Sequence, residues 1–299
     1  MRRRTIFEKP KVYENSFITK VKGNGTSVTR LIGASALDFI DKVYIDDEEV
    51  VISDYLYVFD DTKLHTVVFQ LKDDITDREC FGHFFQNTYI EYVDFNTVVI
   101  PDDCYYFYKM FESCRYLKTV KFGKNKLKMM YNAESMFEYC YELETIDMSG
   151  LQLDELYSTR RMFCGCNKLK TVKMFKNNSY LYVNMEGMFE GCTSLTSVNF
   201  NTTTSYVTNM SFMFTDCSAL QTCVLTFDMT NVSSFNFMFS GCENLKELYM
   251  LGQPPTQSVD GYTFNGLSNN SGAKFYYNSS YNWSYMLEAV PSTWQKIPY

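Results

Sequence analysis

One pattern, Met-Phe-x-x-Cys-x-x-Leu-x-x-(Val/Ile/Cys/Leu)-x-(Phe/Met/Leu), occurs six times, starting at Met110, Met136, Met162, Met188, Met213 and Met238. Successive starts differ by 26, 26, 26, 25 and 25 residues. At such a period each unit is one supersecondary turn that buries its apolar face only against its neighbours. The chain is therefore expected to be a solenoid. A shortened copy upstream sets Phe84 and Phe85 ahead of Ile90, Val93 and Phe95, and Thr263-Phe264 follows Met238 by 25 residues. Degenerate ends are expected, because a terminal repeat must cap one face. The array so read spans residues 75–268 in about eight turns.

The residue types predict the shape of each turn. In Leu143-Glu144-Thr145-Ile146-Asp147-Met148 the apolar Ile146 and Met148 alternate with polar Thr145 and Asp147, the signature of a strand with one buried face. Stacked turns then build a parallel sheet. Upstream of each strand, as in Val207, Met210, Met213-Phe214, Cys217 and Leu220, apolar residues recur every three to four positions, which predicts short helical or 3₁₀ turns on the other side. The fold class expected is an α/β repeat solenoid.

The 16 Met, 25 Phe and 24 Tyr fall largely on interior repeat positions, so they read as core and not as a cofactor pocket. Cys114, Cys140, Cys166, Cys192, Cys217 and Cys242 share one repeat position, where a buried thiol behaves as a small hydrophobe. Cys223 replaces a strand Val, which leaves Cys80, Cys104 and Cys164 off the ladder. Disulfide frameworks belong mainly to short chains without a core, and zinc needs clustered Cys and His; Cys164-Gly165-Cys166 has no His nearby. No metal and no cofactor is expected.

A net charge of −7 argues against nucleic acid as a partner, and no apolar run approaches the roughly 18 residues of a membrane span. Arg2, Arg3 and Arg4 form the one dense cation run, within an N-terminal arm of residues 1–11 that can serve as an anchor or be a solvated end. A signal peptide is not expected, since Glu8, Lys9, Pro10, Lys11 and Glu14 occupy the place of an apolar segment.

Residues 12–74 are expected to form a small β domain covering the first turn. Phe17 to Lys22 and Ser27 to Ile32 alternate apolar with polar around Gly23-Asn24-Gly25, which predicts a hairpin. Residues 269–299 are expected to close the other end, with a last strand at Lys274 to Tyr277 and an amphipathic cap from Trp283 to Tyr299.

The segments Val207-Thr208-Asn209-Met210-Ser211-Phe212-Met213-Phe214-Thr215-Asp216-Cys217 and Met188-Phe189-Glu190-Gly191-Cys192-Thr193-Ser194-Leu195 resemble the BspA-type leucine-rich repeats of bacterial, protist and phage surface proteins. Leu71-Lys72-Asp73-Asp74 and Pro254-Pro255-Thr256, leading into Thr263-Phe264-Asn265-Gly266, resemble that family's entry and exit segments. The resemblance covers about two thirds of the chain and implies adhesion or protein recognition on a leucine-rich-repeat stack. It carries no catalytic residues.

An enzyme is not expected. His65 and His83 are the two histidines, neither beside a nucleophile motif, and the carboxylate runs Asp102-Asp103 and Asp47-Glu48-Glu49 read as solvated loops. Function is therefore sought on the sheet's outward face, where strands about 4.8 Å apart turn repeat positions into columns. One column reads Thr119, Thr145, Thr171, Ser197, Thr222, Glu247; the next reads Lys121, Asp147, Lys173, Asn199, Val224, Tyr249. The alternation at Lys121, Asp147 and Lys173 fits either a self-paired solvated face or a ligand-reading lattice. Val224, Glu247 and Tyr249 mark the expected partner patch, with capping by the C-terminal segment as the alternative. Lacking an evident signal, anchor or sorting tail, the chain is expected to be a phage virion appendage. It would contact other virion proteins and a host-surface protein or glycan, oligomerisation being possible. A purely structural virion protein and an extracellular bacterial surface adhesin are the alternatives.

Overall fold

The computed structural model describes residues 13–25, 27–100, 104–123, 130–151, 153, 155–175, 182–200, 206–259, 262–267 and 271–299. The N-terminal part comprises β1 (Ser16–Lys22), β2 (Val28–Arg30), a 3₁₀ turn (Ala34–Phe39), β3 (Ile40–Ile45), β4 (Glu48–Val50), β5 (Leu56–Val58) and β6 (Leu64–Leu71). The expected hairpin around Gly23-Asn24-Gly25 does not form. β1 pairs antiparallel with β6, Ser16 opposite Gln70 through Lys22 opposite Leu64, while β2 pairs with β5. Gly23 and Gly25 instead bond to the carbonyls of Lys63 and Asp61. A Cβ at Gly23 would run into the Asp61 carbonyl, so this glycine serves a close backbone approach.

The other edge of β1 takes β7 (Ile90–Asp94) antiparallel, and β7 takes β8 (Thr119–Lys121) parallel. One six-stranded sheet, β4-β3-β6-β1-β7-β8, thus runs from the N-terminal strands into the first repeats. The core is equally continuous: Phe17 packs against Phe81, Phe84, Phe85 and Phe95 with ring centroids 5.0–5.4 Å apart.

Beyond β8 the chain is a β-solenoid of about 7 turns in all, with little helix. Its strands are β9 (Thr145–Asp147), β10 (Thr171–Lys173), β11 (Tyr182–Asn184), β12 (Ser197–Phe200), β13 (Tyr206–Asn209), β14 (Thr222–Leu225), β15 (Glu247–Met250), β16 (Lys274–Tyr277) and β17 (Gln295–Pro298). β9 pairs with β10, and β12-β14-β15-β16-β17 form a five-stranded parallel sheet. β11 and β13 pair on a second side, where Asn132, Ser158 and Asn184 bridge successive turns.

The expected helical turns are replaced by a ladder of tight turns that contain left-handed residues. Among the described residues the one α-helix is α1 (Ser284–Ala289), outside the repeats. Arg161 and Gly165, Phe212 and Asp216, and Phe237 and Gly241 have positive φ, so each turn carries two left-handed residues four positions apart. Alternate amides then close turns locally, as Cys164 N does onto Arg161 O at 3.1 Å. The intervening ones reach the next repeat: Arg161, Phe163 and Gly165 donate to Glu186, Met188 and Glu190 at 2.9, 2.9 and 2.7 Å. A helix would spend all these donors on itself and leave the turns unlinked. The three-to-four-residue apolar spacing therefore reports i to i−3 turns.

Inside, Phe85, Phe111, Phe137, Phe163, Phe189, Phe214, Phe239 and Phe264 stack in one column, neighbours 5.1–5.8 Å apart and within 13° of parallel. Full burial of each such ring contributes roughly 2–3 kcal/mol. At the C-terminal end Trp283, Met286, Val290 and Trp294 are buried, and β17 extends the sheet by one strand.

Candidate interaction face

The outward sheet face divides into two halves of different chemistry. In the first, Lys173 Nζ lies 2.7 Å from Asp147, Lys170 2.7 Å from Glu144 and Lys118 2.7 Å from Glu91. Lys173 and Ser149 bond the Asp147 carboxyl and hold it low, at about 2. Lys121 does not complete an Asp147 pair; its ammonium sits 5.4 Å over the Tyr92 ring. Lys173 and Asp147 remain 72% and 53% exposed, and such pairs contribute at most about 1 kcal/mol. This half satisfies its own charges in water.

In the second half, β-sheet register aligns Asn199, Val224, Tyr249, Tyr276 and Ile297 in one column. Val224, Tyr249, Tyr276 and Ile297 are each half-buried, an apolar strip where the earlier turns carry Lys and Asp. Tyr249 and Tyr276 stack at 4.2 Å, 2° from parallel, and the Tyr249 hydroxyl donates to Glu247 Oε2 at 3.4 Å. Burial, with Tyr276 and Glu247 beside it, pushes that hydroxyl up to about 12. Beside the strip an open cleft of about 410 Å³ is lined by Glu243 to Glu247 and Ser271 to Lys274. Val224, Glu247 and Tyr249, singled out from sequence, thus lie together. Tyr276 and Ile297 belong with them and went unnoticed, although counting the same offset into Lys274 to Tyr277 would have found Tyr276.

A second feature lies on the turn side. Phe212, Phe237 and Tyr262 stack at 5.6 and 5.1 Å, with Phe212 37% and Tyr262 59% exposed. Phe212 and Phe237 hold positive φ, a conformation costly for bulky side chains. In earlier repeats the turn side is ionic. Arg160 lies between Glu134 and Glu186 at 2.9 and 3.4 Å, and Arg161 between Glu138 and Glu190 at 2.8 and 2.7 Å. The repeat position just before each Met carries this signal in the sequence.

His65 serves structure: its Nδ1 and Nε2 face Asp46 and Asp61 at 2.7 and 2.9 Å, and its ring stacks on Phe59. Arg2, Arg3 and Arg4 lie outside the described residues. No helix among the described residues is long and apolar enough to cross a membrane.

A parallel-sheet solenoid with a self-satisfied first half and an apolar strip on its second is a repeat scaffold of the kind that presents extended binding surfaces. Residues 83–213 match the BspA type leucine rich repeat region, in 6 copies, and residues 176–260 match a Mycoplasma protein of unknown function, DUF285. The chain belongs with the BspA-like leucine-rich repeat proteins. Neither the curated proteins nor the solved structures include a match.

Proposed function

We propose that this chain is a non-enzymatic surface protein that recognises another protein through the C-terminal half of its sheet face. The observation that carries the reading is the in-register column Val224, Tyr249, Tyr276 and Ile297. Rigid half-buried tyrosines flanked by Glu247 and Lys274 have the make-up of an interface anchor with a polar rim. The self-paired Lys and Asp of the earlier turns supply solubility. The BspA-type repeats and the Mycoplasma family match support attachment at a bacterial cell surface more than the phage virion expected from sequence. The Arg2, Arg3 and Arg4 arm is an anchoring proposal from composition alone.

The test is saturation binding of labelled full-length chain to intact candidate host cells. The double variant Tyr249→Ala, Tyr276→Ala should bind at least about tenfold more weakly, the loss expected for anchor residues, while Asp147→Ala with Lys173→Ala should bind as the parent does. Equal binding by all three would overturn the placement of the interface. Antibody labelling of intact producing cells, against labelling confined to phage particles, separates the surface reading from the virion one.

A further inference from the structure

The six repeat cysteines share one kind of partner. Each of Cys114, Cys140, Cys166, Cys192, Cys217 and Cys242 donates its thiol to the carbonyl oxygen of the Phe one turn back, at 2.8–3.2 Å. Cys80 and Cys104 depart from this. They are 24 residues apart in sequence, 0% and 1% exposed, and their Sγ atoms lie 2.7 Å from each other. That is shorter than any sulfur-to-oxygen distance in the ladder, although sulfur is the larger atom. Two thiols in simple contact would sit further apart than a thiol and a carbonyl, not closer. The backbone is already aligned as well: the amides of Tyr105 and Tyr106 donate to the Arg78 carbonyl at 3.1 and 3.3 Å, so the segments bearing the two cysteines run side by side.

We propose that Cys80 and Cys104 form an intramolecular disulfide that clamps the first repeat turn to the second. The oxidant is a small-molecule disulfide of the glutathione type. One thiolate attacks it and displaces a thiol, and the second cysteine then displaces the other half. Two S–H bonds are lost and one S–S bond forms; two electrons pass to the reagent and two protons are taken up by the thiols it becomes. Cys104 and burial together push the Cys80 thiol well up, so the reactive thiolate is scarce in the closed fold and the bond forms as the chain folds. The position suits a clamp, because it ties the turn that joins the N-terminal strands to the turn that follows it. The inference stands on this geometry and not on the surface reading, which it meets at one point: disulfides persist outside a reducing cytosol.

The full chain is refolded in a buffer of reduced and oxidised glutathione, unfolded in an alkylating reagent, digested and analysed by mass spectrometry. The expected result is one cross-linked peptide pair, Cys80 with Cys104, and alkylation of the other eight of the chain's 10 cysteines. The oxidised chain should melt roughly 5–10 °C above the reduced chain, a difference that Cys104→Ser abolishes. The comparison of oxidised with reduced parent requires no variant, so a misfolded Cys104→Ser protein leaves the test intact. Recovery of Cys80 and Cys104 as separately alkylated thiols, or linkage of either to a ladder cysteine, overturns the proposal. Neither result bears on cell binding.

Discussion

Cys166 Sγ lies 3.1 Å from the carbonyl oxygen of Phe137, one turn back, and the same oxygen accepts the amide of Cys140 at 3.1 Å. Both lone pairs of a buried carbonyl are thereby used, which explains why this repeat position holds cysteine and not alanine. Cys166→Ala removes the donor and leaves a small void, so it should destabilise by about 1–3 kcal/mol. Cys166→Ser retains a donor and should lose less than the Ala variant. Urea midpoints of the two variants and the parent check the order. In native conditions Cys140, Cys166 and Cys192, all fully buried, should resist alkylation.

Leu195 is completely buried, and Ser197, two residues on, points outward from β12. Leu195→Ala should lower stability by about 2–5 kcal/mol, and because each turn leans on its neighbours the loss should broaden the unfolding transition. Ser197→Ala should stay within about 0.5 kcal/mol. Calorimetric melting of both variants decides; equal shifts would place the register wrongly.

Ion pairs on the two sides should behave differently. Glu138 is 8% exposed and bonded to Arg161, so Arg161→Ala strands a shielded carboxylate and should lose about 1.5–3 kcal/mol. Lys173→Ala frees Asp147 into water and should lose less than about 1 kcal/mol, a difference that vanishes in high salt. Chemical denaturation at low and high ionic strength measures both.

The His65 site gives a pH dependence with a definite sign. Burial lowers the imidazolium's affinity for its proton, but the hydrogen bonds it donates to Asp46 and Asp61 outweigh this and raise the pKa above its ordinary value. A raised folded value means that the stabilisation is complete below about 6.5, the unfolded value, and is lost as pH rises through the folded one. The parent should therefore lose stability from slightly acid to mildly alkaline pH, and His65→Gln should flatten that slope. At the acid end Asp61, held at about 2 by Lys63 and His65, contributes stability above about 3.9 that fades as pH falls toward its folded value. Urea midpoints across pH 3–9 test both arms.

What the sequence by itself determined is everything the period carries. The spacing from Met110 to Met238 announces the stack, the alternation at Thr145-Ile146-Asp147 gives strand register, and the shared offset of Val224 and Tyr249 places both in one outward column. These are local or one-step relations that repetition makes legible. Tertiary structure alone decided the rest. A three-to-four-residue apolar spacing is common to helices and to successive tight turns; only hydrogen bonding to the next repeat shows that Arg161 and Phe212 take left-handed backbone in place of helix. Gly23-Asn24-Gly25 carries a hairpin signal, yet β1 has both edges occupied, by β6 and β7, so long-range pairing overrides the turn. Ile297 joins the Tyr249 column because β17 adds to the same sheet, and Cys80 meets Cys104 because adjacent turns bring their segments together. Pairings of that kind depend on which chain segments share an edge, and spacing along one segment carries no record of it.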